Sequence, residues 1–284
     1  ANHYTVRQRR YHTVVIDEAG QALEPACWIP ILKAQKVVMA GDHQQLPPTI
    51  KSDIAAKEGL KNTLLEKCVA LHGEAVVLLQ EQYRMHQSIM GFSSQEFYDD
   101  KVKAHPSVAQ HLLFVGSEPL SFIDTAGCGF EEVWENTSIS NPEEAHFLVK
   151  QVAALVAELK SFYEDENFPG IALISPYKHQ VEVLKELVSN NEDLQKLVAV
   201  NTIDSFQGQE RDAVFISMTR SNTDNVIGFL SDVRRMNVAM TRARKKMVGI
   251  GDSATLSQHP FYADFIAYAQ KQDAYKSAWE FMDV

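Results

Sequence analysis

The sequence predicts an α/β protein built on parallel sheets flanked by helices, and three observations carry that prediction. Apolar runs such as Val14-Val15-Ile16, Lys36 to Ala40 and Gly170 to Ser175 have strand length and lack polar alternation, as strands buried on both faces do. These runs alternate with stretches of helical spacing, which implies right-handed crossovers between parallel strands. The first of them ends in two adjacent carboxylates, Asp17 and Glu18, at the position where open α/β sheets place their ligands.

The chain has 284 residues, 45% hydrophobic and 23% charged, enough for two domains of ordinary size in a soluble globular protein. Its formal net charge of -10 argues against holding nucleic acid by bulk positive charge, so any such binding uses a local groove. Cys27, Cys68 and Cys128 are far apart and odd in number, which suits reduced thiols rather than a disulfide framework or a zinc site. No apolar run approaches the roughly 18 residues that span a bilayer, and Ala1 to Arg10 has no signal-peptide core. The expectation is a cytoplasmic protein, or a nuclear one if eukaryotic, without a membrane partner. The chain opens without Met and almost at once enters a strand, so it is read as a fragment.

Taken in order, Ala22 to Leu32 predicts a short helix interrupted by Pro25, and Lys36 to Ala40 predicts a strand ending in Gly41-Asp42-His43-Gln44-Gln45-Leu46-Pro47-Pro48. Glycine permits a tight exit there, and the Gln45 amide suits a phosphate or a water, although Gly-Asp and Pro-Pro are also common turn punctuation. Leu60 to Leu71 has helical spacing, and Ala75 to Leu79 reads as a buried strand. After it, Tyr83 offers a flat ring and Arg84 a guanidinium; a surface Arg beside a half-buried Tyr explains the same pair. From Phe97 to Trp134 the pattern weakens into a domain junction with one strand, Leu120 to Asp124. The domain division is accordingly placed at 1–100 and 101–284.

Asn141-Pro142-Glu143-Glu144 predicts a helix start with an N-cap, a Pro in the first turn and a returning Glu. Ala145, Leu148, Val149, Val152, Leu155, Val156 and Leu159 form its apolar stripe. A turn at Ser175-Pro176-Tyr177 precedes a second amphipathic helix from Lys178 to Val188, strands follow at Val198 to Ile203, Ala213 to Met218 and Lys246 to Ile250, and Pro260 to Phe281 reads as a closing helix.

Two stretches gather chemistry beyond the strand-end acids. In Asp204-Ser205-Phe206-Gln207-Gly208-Gln209-Glu210, Gly208 allows close backbone approach, Glu210 can accept from a ribose hydroxyl, and Thr202 and Ser205 suit phosphate oxygens; a polar connection is expected there in any case. In Arg234-Arg235-Met236-Asn237-Val238-Ala239-Met240-Thr241-Arg242-Ala243-Arg244, a helical reading puts Arg235 and Arg242 on one face, aimed at one anionic partner; a solvated basic face is the alternative.

In order and spacing, Val-Ile-Asp-Glu-Ala-Gly-Gln, Gly-Asp-His-Gln-Gln-Leu-Pro-Pro, Gln-Tyr-Arg-Met-His, Ser-Pro-Tyr, Asp-Ser-Phe-Gln-Gly-Gln-Glu and the arginine-rich stretch resemble the motifs of superfamily 1 helicases, most closely the Upf-like branch. The resemblance runs from about Val14 to Asp252. It implies two RecA-like domains of the P-loop NTPase fold, with ATP between them and single-stranded DNA or RNA across both. By this similarity Asp17 would bind Mg²⁺ and Glu18 would polarise the attacking water. Gln45 would sense the γ-phosphate, Tyr83 would stack on the nucleotide base, and Arg84 and Arg242, one from each domain, would act as arginine fingers. Glu210 would hold the ribose beside Gly208, while Pro176, Tyr177, Thr202 and Ser205 would face the nucleic acid.

One motif of the family is absent. None of the thirteen glycines is followed by Lys, so Gly-x-x-x-x-Gly-Lys-[Ser/Thr] does not occur in these residues. The first domain is therefore expected to be incomplete, its partner being a missing N-terminal RecA-like segment of the same polypeptide. The alternatives are a helicase-derived binding module without ATPase activity, and an unrelated α/β protein.

Overall fold

A computed structural model describes residues 3–135 and 137–282. The chain divides into two compact units, Ala1–Leu78 and Leu79–Val284. Among the described residues no helix is long and apolar enough to cross a membrane, and the three cysteines are unpaired.

In the first unit, β1 (Tyr11–Ile16), α1 (Glu24–Ile31) and β2 (Ala34–Met39) form a strand-helix-strand crossover, with Val14 opposite Val37 and Ile16 opposite Met39 in a parallel pair. Pro25 occupies the first turn of α1, where a missing N–H costs nothing, so it starts the helix instead of interrupting it. After a short helical stretch at 53–60, α2 (Leu64–Leu71) begins later than its spacing suggests because Thr63 and Glu66 close a capping box: Thr63 Oγ1 accepts from Glu66 N at 3.1 Å and Glu66 Oε2 accepts from Thr63 N at 2.8 Å. The strands are less buried than their composition implies. Val15 is 65% exposed and Val37 and Val38 are exposed, because the ribbon is two strands wide and carries α1 as its covering helix. Residues 76–79 form no strand, and Val77 and Leu79 are exposed.

The second unit holds a six-stranded, all-parallel sheet. After α3 (Gln87–Phe97) come β3 (Leu120–Asp124), α4 (Pro142–Leu159), β4 (Ile171–Ser175), α5 (Lys178–Ser189), β5 (Val198–Thr202) and β6 (Arg211–Ser217). The chain closes with α6 (Val233–Met240), β7 (Ala243–Gly251), α7 (Pro260–Lys271) and β8 (Tyr275–Ser277). The strand order is β8-β3-β7-β6-β4-β5. The stripe of α4 meets the sheet: Leu148, Val152 and Leu159 are fully buried with Leu173, Leu184 and Phe215, each such side chain contributing about 1.5–3 kcal/mol of burial.

Three features depart from the expectations. The predicted closing helix stops at Lys271; Asp273 turns the chain at φ 54, and β8 adds an edge strand beside β3. Asn141 does cap α4, accepting from Glu144 N at 3.0 Å, but the Glu144 carboxylate does not return to the cap. It accepts from Ser217 Oγ and from Thr219 N (2.9 Å) at the end of β6. The second unit also begins before position 101. Helix α3 belongs to it, because Gly91 leaves room for Tyr268, whose hydroxyl donates to Ser88 O at 2.9 Å, and Phe92 sits 5.1 Å from both Phe261 and Phe265.

Candidate nucleotide and nucleic-acid site

The predicted acidic residues and Gln45 lie in the first unit. At the end of β1, Asp17 Oδ1 accepts from Glu18 N at 2.9 Å, and Glu18 holds a left-handed φ of 50, which is uncommon outside glycine. Its carboxylate accepts from Gln21 Nε2 at 2.8 Å. Both acids are exposed and, among the described residues, neither has a basic partner. Two glycines set what lies beside them. A Cβ on Gly20 would stand 2.6 Å from Asp42 O, and one on Gly41 would stand 2.8 Å from Ala19 N, so the two strand-end loops touch through bare backbone. Asp42 then organises the second loop, accepting from Gln44 N at 2.9 Å and from Gln45 Nε2 at 2.8 Å. Asp17, Glu18 and Gln45 thus stand on adjoining strand-end loops.

Adjacent exposed carboxylates without a basic partner fit a hard cation, which takes one or two carboxylates and completes its shell with water and phosphate oxygens. The described residues hold no group of three or more His, Cys, Asp or Glu placed to bind a metal alone, so the phosphates would be part of any Mg²⁺ site.

The predicted basic residues lie in the second unit and form a cluster of their own. Arg84 donates from Nε to Glu210 Oε2 at 2.7 Å and from Nη1 to Thr241 O at 3.2 Å; Arg244 approaches the other oxygen of Glu210 at 3.6 Å. Arg242, 4% exposed, donates from Nε to Val238 O at 3.1 Å and from Nη1 to Gln209 O at 3.2 Å. Three segments separated widely in sequence therefore meet: Arg84 pairs with Glu210 and bonds Thr241 O, while Arg242 bonds the carbonyl of Gln209. The predicted pairing of Arg235 with Arg242 on one helix face does not form, because α6 ends at Met240. Arg235 instead forks to Asp232 (3.2 Å) and Asp204 (3.0 Å). The two expected fingers also share a unit, since Arg84 is held by the turn that leads into α3.

The remaining predicted residues separate into open and enclosed groups. Tyr83 is 62% exposed, stacked on His105 at 4.4 Å, with its hydroxyl donating to Glu81 at 2.8 Å. Gly208 has φ 74 and open space where a Cβ would stand, so its loop is accessible. The Thr202 and Ser205 hydroxyls lie 3.1 Å apart at the end of β5. Tyr177, next to Pro176, is buried instead: its hydroxyl donates to Ile227 O (3.1 Å) and accepts from Phe229 N (3.2 Å).

Sequence reasoning missed the polar network behind this surface. Glu144, Ser175, Gln180, Ser217 and Thr219 are fully buried; Gln180 Nε2 donates to Ser217 Oγ at 2.8 Å and Ser175 meets Thr219 at 3.0 Å. Burial pushes the Glu144 carboxyl up to about 8, against which its bonds from Ser217 and Thr219 work. A signal existed, since Glu144 shares the helix face of Leu148 and Val152, where a carboxylate has no place unless it is bonded or neutral.

A family model described as an AAA domain matches residues 60–254, and a second AAA-domain model matches residues 1–53. The chain belongs to the AAA-domain family. Relatives of this AAA domain include DNA-binding protein SMUBP-2 of Rattus norvegicus, 42% identical over 96% of the chain and 28% of the relative. An uncharacterized ATP-dependent helicase of Methanocaldococcus jannaschii is 37% identical over 92% of the chain and 39% of the relative. ATP-dependent helicase upf1 of Schizosaccharomyces pombe is 34% identical over 94% of the chain and 29% of the relative. The AAA domain is thus similar to the C-terminal portion of superfamily 1, Upf-like helicases, as its motif order implied, and its parallel sheet flanked by helices is the RecA-like P-loop NTPase fold. It spans 28% to 39% of the length of these relatives.

Proposed function

We propose that the chain is the C-terminal portion of an ATP-dependent helicase that translocates on single-stranded DNA or RNA. The observation that carries this reading is the meeting of Arg84, Glu210 and Arg242 from three separate motifs on one cluster. A structural surface gains little from gathering guanidiniums; a site that receives developing negative charge on a phosphoryl group needs them. Asp17 holds Mg²⁺, Glu18 orients the attacking water and Gln45 reports the γ-phosphate, supported by the adjoining loops that carry them. Arg84 and Arg242 stabilise the transferred phosphoryl group. Tyr83 presents a ring to the base, and Glu210, beside the open Gly208 loop, takes the ribose. Pro176, Thr202 and Ser205 face the nucleic acid, whereas Tyr177 shapes that surface from beneath.

The phosphate loop comes from a segment of the same polypeptide preceding residue 1, a reading supported by its absence here and by the greater length of the relatives. Three unpaired cysteines support a reducing compartment, the cytoplasm or nucleus. The test compares ATP hydrolysis by the 284-residue chain and by the full-length protein, with and without single-stranded DNA or RNA. The chain alone is expected to show no stimulated turnover, and the full-length protein to show it. Stimulated turnover by the chain alone would overturn the assignment of the missing loop. Strand binding without hydrolysis by the full-length protein would make it a binding module.

A further inference from the structure

Phe229 lies in a short turn, Gly228–Ser231, directly before α6, and its ring is 62% exposed while Leu230 beside it is buried. The turn that carries this ring is hydrogen-bonded on several sides. Phe229 N donates to the Tyr177 hydroxyl at 3.2 Å, that hydroxyl donates to Ile227 O at 3.1 Å, and Tyr262 donates to Leu230 O at 2.7 Å. Gly228 has φ 55, and a Cβ there would stand 2.3 Å from Arg220 Nη1. Arg220 is itself buried, forked onto Glu132 at 2.7 and 3.0 Å. A desolvated Arg–Glu pair gives little net stability, so its placement under the turn asks for another reason. The assembly holds one flat ring at a fixed angle, with the Tyr177 ring 5.6 Å away.

The surroundings fit a base joined to its phosphates. Arg235, its guanidinium held by Asp232 and Asp204, links the turn to the loop in which the Ser205 hydroxyl meets that of Thr202, two hydroxyls suited to phosphate oxygens. Apart from Val226, the exposed residues flanking the ring in sequence are polar, among them Asp224, Asn225 and Ser231, so the ring does not belong to a broad apolar patch. We propose that Phe229 is a platform on which a nucleobase of a single strand stacks, a role that rests on the nucleic-acid reading above.

The test measures affinity of the full chain at low salt for a short labelled oligodeoxythymidylate and for an abasic oligomer of equal length. Phe229→Ala and Phe229→Leu are expected to weaken oligodeoxythymidylate binding about tenfold, to leave abasic binding unchanged, and to keep the salt slope, because phosphate contacts remain. Phe229→Trp is expected to restore the preference for bases. If Phe229→Ala binds both oligomers like the parent, or weakens both equally, the platform is overturned and the nucleic-acid reading stands. A parent chain without affinity for either oligomer overturns both.

Discussion

The acidic loops of the first unit and the arginine cluster of the second are held in opposite ways. Asp17 and Glu18 stand in water at the end of a two-stranded ribbon, aligned by backbone geometry and by the contact that Gly20 and Gly41 allow. Arg242 is buried beside a six-stranded sheet and anchored to backbone carbonyls, with Arg84 bound to the same region. An acid that meets a hydrated cation tolerates solvent, whereas a guanidinium that must meet a phosphoryl group at one angle gains from a fixed mount. Chemistry and stability are therefore separable in the acidic loops and joined in the arginine cluster.

That contrast is broken or sharpened most strongly by paired substitutions in the full-length protein. Glu18→Gln is expected to lower strand-stimulated ATP hydrolysis by roughly 10²–10⁴-fold with an unchanged thermal midpoint. Arg242→Ala is expected to lower hydrolysis comparably and to cost about 1–3 kcal/mol of stability, because Val238 O and Gln209 O lose a donor. Full activity in Arg242→Ala would remove the finger assignment, and an unchanged midpoint would remove the contrast.

Next in size is an effect confined to the second unit. With its carboxyl pushed up to about 8 when folded, against an ordinary value of 4.5, Glu144 binds more protons in the folded state between those limits. Its contribution is full below about pH 4.5 and is lost as pH rises through about 8, a change on the order of a few kcal/mol. Glu144→Gln, which keeps the shape without the titration, is expected to flatten that slope in denaturant melts from pH 5 to 9. An unchanged slope would remove the assignment of this pH dependence to Glu144. The smallest effect is assigned to Glu210→Ala: its pair with Arg84 is half exposed, so stability should change by no more than about 1 kcal/mol while the KM for ATP rises. A loss of stability equal to that of Arg242→Ala would show the carboxylate to be structural.

Elements with a local cause were legible in the sequence. Leu120–Asp124 and the helix from Lys178 appear as their periodicity predicts, and Asn141 caps α4 as its residue type requires. What depended on distant partners was hidden. Residues 76–79 are apolar enough for a strand but are not part of a ladder, while Tyr275-Lys276-Ser277 has no apolar run and becomes a strand because β3 offers a free edge. The proposed site residues stand out in the sequence by type, because strand-end acids and clustered arginines are unusual. Their grouping was less so: that Arg84 joins the second unit depends on Gly91 accommodating Tyr268, and that Tyr177 is enclosed depends on carbonyl and amide groups some fifty residues away.

The strand order β8-β3-β7 has a consequence for biosynthesis. Leu120–Asp124 leaves the ribosome before either strand that flanks it, since β7 begins at Ala243 and β8 at Tyr275. At about 5–20 residues per second, this wholly buried segment waits for several seconds or longer with both hydrogen-bonding edges bare. The order of synthesis opposes the order of assembly, so the pace of translation beyond Asp124 governs how long the nascent chain is open to mispairing with its neighbours on a polysome.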